Sequence, residues 1–191
     1  MNQPSQLLDG QAYYEQEFLS VKEASELYRW CDQNLPWEQR QGKLYGKAYQ
    51  QPRLVCYLSS QDYTYSGLEY KAKPIPEQLQ AIIQRFHRDT GYKVNAVLAN
   101  KYRNGHDYVA MHADDEKSII PDSPIYSVSL GATREFVLTH NNGLETLTLS
   151  LTHGSLLVMG KDVQRNYKHG IPKRLRIKEP RINLTFRCMK E

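Results

Sequence analysis

The sequence predicts an α+β fold, a β-sandwich or barrel with helices packed on its outside. Two helical patterns lie before residue 91, and seven short strand patterns separated by turn signals follow Lys93. The chain has 191 residues, 40% of them hydrophobic and 24% charged, which suits one domain with a sizeable core.

Each element has a local reason. Ser20 and Glu23 stand in capping-box spacing at the head of residues 20–34, and Leu27, Trp30 and Cys31 follow at helical intervals. A second helix is expected from about Pro76 to Thr90, with Leu79, Ile82, Ile83 and Phe86 on one face and Gly91 as its stop. The strand patterns are VNAVLANKYR, DYVAMHAD, PIYSVSL, REFVLTH, ETLTLSL, SLLVMG and RINLTFR, divided by NG, PDSP, HNNG and HG. No repeat and no linker interrupts them.

Composition excludes several classes. The start, MNQPSQLLDG, lacks a basic-then-apolar signal pattern, and no apolar run approaches the roughly 20 residues that span a bilayer. The expected compartment is the cytoplasm, or the nucleus in a eukaryote, with no membrane partner. Cys31, Cys56 and Cys188 are widely spaced and form no CxxC, so they read as small buried apolar residues and not as a disulfide framework or metal site.

Charge is unevenly placed. The formal net charge is +4, yet residues 161–178, KDVQRNYKHGIPKRLRIK, hold seven Lys or Arg against one Asp. That segment alone is +6 and the remainder −2. It is poor in Ser and Gly and leads into a patterned strand, so it reads as an ordered loop facing phosphate, with a solvated loop as the plain alternative.

The stretch MHADDE, residues 111–116, raises the question of chemistry. Acidic clusters are commonly solvated loop faces. Here, however, His112 and Asp114 are two apart at a strand end and point to one side. With His169, at the mouth of a later strand pair, they would make two imidazoles and one carboxylate, the facial triad of non-haem Fe(II) oxygenases. In RINLTFR, Arg181, Asn183, Thr185 and Arg187 alternate strictly with Ile182, Leu184 and Phe186. A polar face with an arginine at each end suits the inside of a barrel, where it would hold a small dianion such as a dicarboxylate.

At this point NKYRNGHDYVAMHADDE, SPIYSVSLGATREFVL, HGSLLVMG, the Tyr167 to His169 segment and PRINLTFR resemble, in order, the AlkB family of Fe(II)- and 2-oxoglutarate-dependent dioxygenases. The resemblance covers residues from about 36 to 189. YTYSG at 63–67, HADDE and the spacing from His169 to Arg181 resemble the branch that repairs duplex DNA.

The resemblance implies a double-stranded β-helix (jelly-roll) core over residues 94–191. Residues 1–93 would form an extension of helices and nucleotide-recognition hairpins, within a single domain over 1–191. It implies Fe(II) on His112, Asp114 and His169, and 2-oxoglutarate among Asn100, Tyr102, Arg181, Asn183, Thr185 and Arg187, with O2 as the other cosubstrate. The implied reaction is oxidative demethylation of N-alkylated bases such as 1-methyladenine and 3-methylcytosine in DNA, by a monomer. Succinate, CO2 and formaldehyde would be released. Asp115 and Glu116 would attract the cationic base, and Tyr63 and Tyr65 would line its pocket. Tyr45, Gly46 and Lys47 match a hairpin that wedges into the duplex, although Tyr45 stands where that branch has Phe. Lys173, Arg174 and Arg176 would hold the complementary strand. Three alternatives stay open at this level: an AlkB-like enzyme for RNA or protein, a facial-triad oxygenase of a small metabolite, and a DNA-binding module with a structural metal.

Overall fold

The computed structural model describes residues 5–44, 47–60, 62–65 and 68–190. In chain order the elements are β1 (Ser5–Leu7), β2 (Ala12–Glu15), α1 (Val21–Asn34), β3 (Gln41–Leu44), β4 (Lys47–Gln50), β5 (Leu54–Ser59), β6 (Tyr63–Tyr65), β7 (Leu68–Tyr70), α2 (Gln80–Thr90) and β8 (Ala96–Tyr102). There follow β9 (Val109–His112), β10 (Ile125–Gly131), β11 (Arg134–His140), β12 (Thr146–Leu151), β13 (Ser155–Met159), α3 (Lys161–Asn166), β14 (Tyr167–Ile171) and β15 (Arg181–Arg187).

Seven strands make the main sheet, in the order β1-β2-β13-β10-β15-β8-β5, and four make a second, β12-β11-β14-β9. All pairings are antiparallel. The two sheets face each other as a jelly roll, and β15 lies at the heart of the main one, with all seven of its residues buried. β3 and β4 form one hairpin and β6 and β7 another.

The helices cover the outside, as the sequence predicts. Ser20 caps α1, and its hydroxyl and backbone exchange hydrogen bonds with Glu23. α1 buries Ala24 and Cys31 against one core. α2 is preceded by one 3-10 turn, Glu77–Leu79, and ends on Gly91, whose φ of 76° is the left-handed conformation that glycine adopts without strain. Its Phe86 stacks on Tyr126 with centroids 4.1 Å apart, and Leu79 and Ile82 join the same core. The three cysteines are buried as expected; burial pushes the thiols up, to about 12 for Cys31 and about 11 for Cys56 and Cys188.

Two features depart from the sequence reading. Residues 161–178 are not one loop, since 161–166 form α3 and 167–171 form β14, and only the residues after Ile171 remain irregular. Charges on Lys161, Arg165 and Lys168 hid Val163, Tyr167 and Ile171, which pack inward with burial at or below 5% exposure. The early strands were also absent from that reading. β1, β2 and β5 extend the main sheet on both sides, so the first 93 residues build part of the barrel wall as well as its helical cover.

Candidate metal and cosubstrate site

Strand pairing brings the predicted metal residues together. β14 pairs with β9 so that His169 lies directly opposite His112, and Asp114 follows β9 by two residues. One ligand atom from each of His112, Asp114 and His169 lies within 4.8 Å of the others. His112 gives its Nδ1 to the carbonyl of Ala110 at 2.9 Å, which leaves Nε2 facing Asp114 Oδ1 at 3.5 Å. The other oxygen of Asp114 is 2.7 Å from Nη2 of Arg187.

These residues fit a divalent metal. Asp114 Oδ1 and His169 Nδ1 are both buried atoms without a hydrogen-bond partner, an arrangement that costs about 1–3 kcal/mol per group unless something else satisfies the site. Burial would raise the Asp114 carboxyl, but Arg187 and the two histidines outweigh it and hold it well below the usual carboxylate range. Burial lowers His169 to about 4, so its imidazole is neutral and able to ligate near neutral pH. The ring of Phe136 stacks on His169 at 5.2 Å and fixes its plane. The main-chain N–H of Asp114 donates to Gln164 Oε1 of α3 at 2.9 Å, which anchors the loop that carries the carboxylate.

The polar face of β15 opens onto the same pocket. Arg181, Asn183, Thr185 and Arg187 all line it, opposite Tyr102 and Asn100 of β8. Asn183 donates to Ser127 Oγ at 2.8 Å and to the Val128 carbonyl at 3.1 Å, and accepts from Thr185 Oγ1. Arg181 is 1% exposed and spends one nitrogen on Ser129 Oγ at 2.9 Å. Its Nε and Nη1 have no partner. Burial brings this guanidinium down to about 10, still charged at neutral pH. A charged, half-used fork at the inner end of the pocket suits a carboxylate, and the triad at the other end suits a metal chelated by an oxo-acid.

Such a pocket matches what family comparison finds. Residues 11–187 match the model of the 2OG-Fe(II) oxygenase superfamily. The chain belongs to this superfamily. Fe(II), 2-oxoglutarate and O2 are accordingly its metal and cosubstrates. Within the superfamily it belongs to the AlkB family. It is 38% identical over 182 residues to the alpha-ketoglutarate-dependent dioxygenase alkB homolog 3 of Homo sapiens, covering 90% of this chain and 64% of that protein. It is 37% identical to the DNA oxidative demethylase ALKBH2 of Mus musculus, covering 76% of this chain and 65% of the other. The Arabidopsis thaliana ALKBH2 is 34% identical, with 92% and 65% covered. This chain thus spans just under two thirds of the length of these relatives. Among solved structures, OsALKBH1 superposes with a TM-score of 0.63 at 21% identity, over 95% of this chain and all of that one, which is a likeness of fold.

The substrate-facing expectations fare unevenly. Asp115 is exposed and Glu116 half-buried, and both line a shallower pocket beside the metal triad. Arg174 pairs with Glu135, the Lys173 ammonium lies 4.8 Å from the ring centroid of Tyr108, and Arg176 is exposed. Tyr45 and Gly46 lie outside the described residues, as do the side chains of Lys47, Tyr63 and Tyr65.

Several residues that line or anchor the pocket were not predicted from the sequence, Arg53, Gln164 and Phe136 among them. Arg53 lines the pocket and donates from Nε to Asn100 Oδ1 at 2.8 Å, but a lone arginine after Pro52 carries no periodic signal. Gln164 sat inside the supposed basic loop. Phe136 was legible, since REFVLTH alternates and places it on the inner face with Arg134 and Leu138.

Proposed function

We propose that this chain is an oxidative demethylase of N-alkylated bases, 1-methyladenine and 3-methylcytosine among them, in DNA and preferentially in duplex DNA. The carrying observation is that two buried polar atoms without hydrogen-bond partners, Asp114 Oδ1 and His169 Nδ1, belong to a triad that shares one pocket with the half-used guanidinium of Arg181. A metal and a dicarboxylate would satisfy these groups together.

In this reading His112, Asp114 and His169 hold Fe(II). When bound, the iron supplies the oxidation of 2-oxoglutarate and of the N-methyl group by O2, and the hydroxylated methyl leaves as formaldehyde. The chain's own residues do the positioning. Arg181 would offer its unpaired Nε and Nη1 to the distal carboxylate, while Asn183 and Thr185 hold the pocket wall in shape. Arg187 keeps Asp114 ionised and aimed. Phe136 and the apolar lining exclude water around His169.

Asp115 and Glu116, next to the triad, suit a methylated base that carries positive charge. Asn100 and Tyr102 complete the cosubstrate wall, and residues 1–93, besides adding β1, β2 and β5 to the main sheet, would supply the substrate-facing extension of a catalytic core over 94–191. Among the described residues no helix is long and apolar enough to cross a membrane. We place the protein in the cytoplasm, or the nucleus of a eukaryote, as a monomer.

The duplex preference rests on the basic loop and on Tyr45, Gly46 and Lys47. Lys173, Arg174 and Arg176 suit phosphate contacts to a strand that has lost its partner base. An aromatic ring at Tyr45 would fill the gap left by a flipped base. Turnover on methylated single- and double-stranded DNA and RNA, with Fe(II) and 2-oxoglutarate, tests this. Tyr45→Ala should impair repair in duplex far more than in single strands, and equal losses on both would favour a single-strand or RNA substrate.

A further inference from the structure

Arg134, on β11, is the largest buried group to which the site above gives no role. It is 1% exposed, and none of the ion pairs among the described residues includes it. Its charge is met by main-chain carbonyls instead. Nη2 donates to Asp107 at 2.9 Å and to Pro172 at 2.7 Å, and Nη1 donates to Asn104 at 3.2 Å. One guanidinium thereby fastens two loops, residues 103–108 between β8 and β9 and residues 172–180 before β15.

Main-chain bonds complete the clamp. The N–H of Gly105 donates to the carbonyl of Ile177 at 2.9 Å, and that of Arg174 donates to Gly105 at 2.8 Å. Any side chain at residue 105 would collide with the Arg174 carbonyl, so the two backbones can meet this closely only over a glycine. The loop so held carries Lys173, Arg174 and Arg176.

The same guanidinium lies behind Tyr102, one of the residues that line the cosubstrate pocket. Its carbon lies 5.5 Å from the ring centroid of Tyr102, and the guanidinium carbon of Arg181 lies 5.3 Å from that same centroid. Tyr102 and Arg181 are directly paired between β8 and β15. Two buried cations thus share one aromatic ring, which attracts both while they repel each other. An anion seated on Arg181 would offset that repulsion and so hold Arg134 more firmly on the three carbonyls it already meets.

We propose that Arg134 is a positioning residue that couples the Arg181 end of the pocket to the basic loop, so that a bound dicarboxylate strengthens the grip of residues 173–176 on DNA phosphates. The inference rests on the function proposed above. Because coupling is reciprocal, DNA would strengthen dicarboxylate binding by the same factor.

The test is the affinity of the Fe(II)-loaded protein for a methylated duplex oligonucleotide, read by fluorescence anisotropy without oxygen, with and without saturating 2-oxoglutarate. Wild type should bind about 5-fold or more tighter with 2-oxoglutarate, within the usual range of coupling. Arg134→Met should bring that ratio close to one while still binding 2-oxoglutarate by fluorescence quenching, and Arg134→Lys should restore at most part of it. A ratio of one in wild type that binds 2-oxoglutarate, or a ratio kept in Arg134→Met, overturns the coupling. Should Arg134→Met fail to fold, hydrogen exchange of wild type decides: amides of residues 173–178 become better protected on adding 2-oxoglutarate, and unchanged protection overturns the proposal. A wild type that binds no 2-oxoglutarate overturns the functional reading itself, a separate outcome.

Discussion

Arg187 Nη2 stands 2.7 Å from Asp114 Oδ2, with the two side chains 5% and 3% exposed. A carboxylate so placed has one oxygen committed to the cation and the other turned to the histidines. Arg187→Ala should leave the buried carboxylate uncompensated, lowering stability by about 3–5 kcal/mol. Iron affinity should fall about 10–100-fold. Chemical denaturation and metal titration measure the two effects, and an unchanged iron affinity would show that Arg187 does not aim Asp114.

Gln164 acts on the same carboxylate from behind, through the main-chain N–H of Asp114. Gln164→Leu keeps the side-chain size but removes the acceptor. Iron affinity should fall about 10-fold, with the larger part of any activity loss recovered at high iron. A loss that iron does not restore would place the effect elsewhere.

Much of this site was legible in advance, for a physical reason. Alternation along RINLTFR and the two-residue step from His112 to Asp114 are period-2 signals, and strand geometry converts them directly into shared faces. The seven later strand patterns and both long helices appear where those signals lie. β5, LVCYLS, is an apolar run of strand length that the sequence reading passed over, whereas the hydrogen bond from Arg53 to Asn100 is a long-range pairing that leaves no local trace. α3 and β14 were masked by surface charge on elements whose inward residues, Val163, Tyr167 and Ile171, are few.

Arg181 offers a second quantitative check. Arg181→Lys keeps a charge but loses the planar fork whose Nε and Nη1 are unpaired. The loss of one charge-assisted hydrogen bond should raise the KM for 2-oxoglutarate about 10–100-fold. Steady-state kinetics at varied 2-oxoglutarate tests this, and an unchanged KM would contradict the reading of the inner pocket.

His153 sets a pH limit on stability away from the iron. Its Nδ1 accepts from the Gly131 N–H at 2.9 Å and its Nε2 lies 3.1 Å from Ser25 Oγ, so the neutral ring ties α1 to β10. Burial lowers its pKa below the ordinary 6.5. The unfolded chain therefore binds the proton more readily, and this contribution is complete above pH 6.5 and lost as pH falls through the lowered folded value. The fall in stability below pH 6.5 should be shallower in His153→Gln than in wild type, as followed by urea denaturation.

The most direct test of the whole account is formaldehyde and succinate released from a duplex oligonucleotide carrying 3-methylcytosine, by the Fe(II)-loaded chain with 2-oxoglutarate and O2. Wild type should yield the two products in equal amounts, and Asp114→Ala should yield neither. Formaldehyde release that survives in Asp114→Ala, or succinate without any formaldehyde from the whole panel of methylated DNA and RNA, would contradict it.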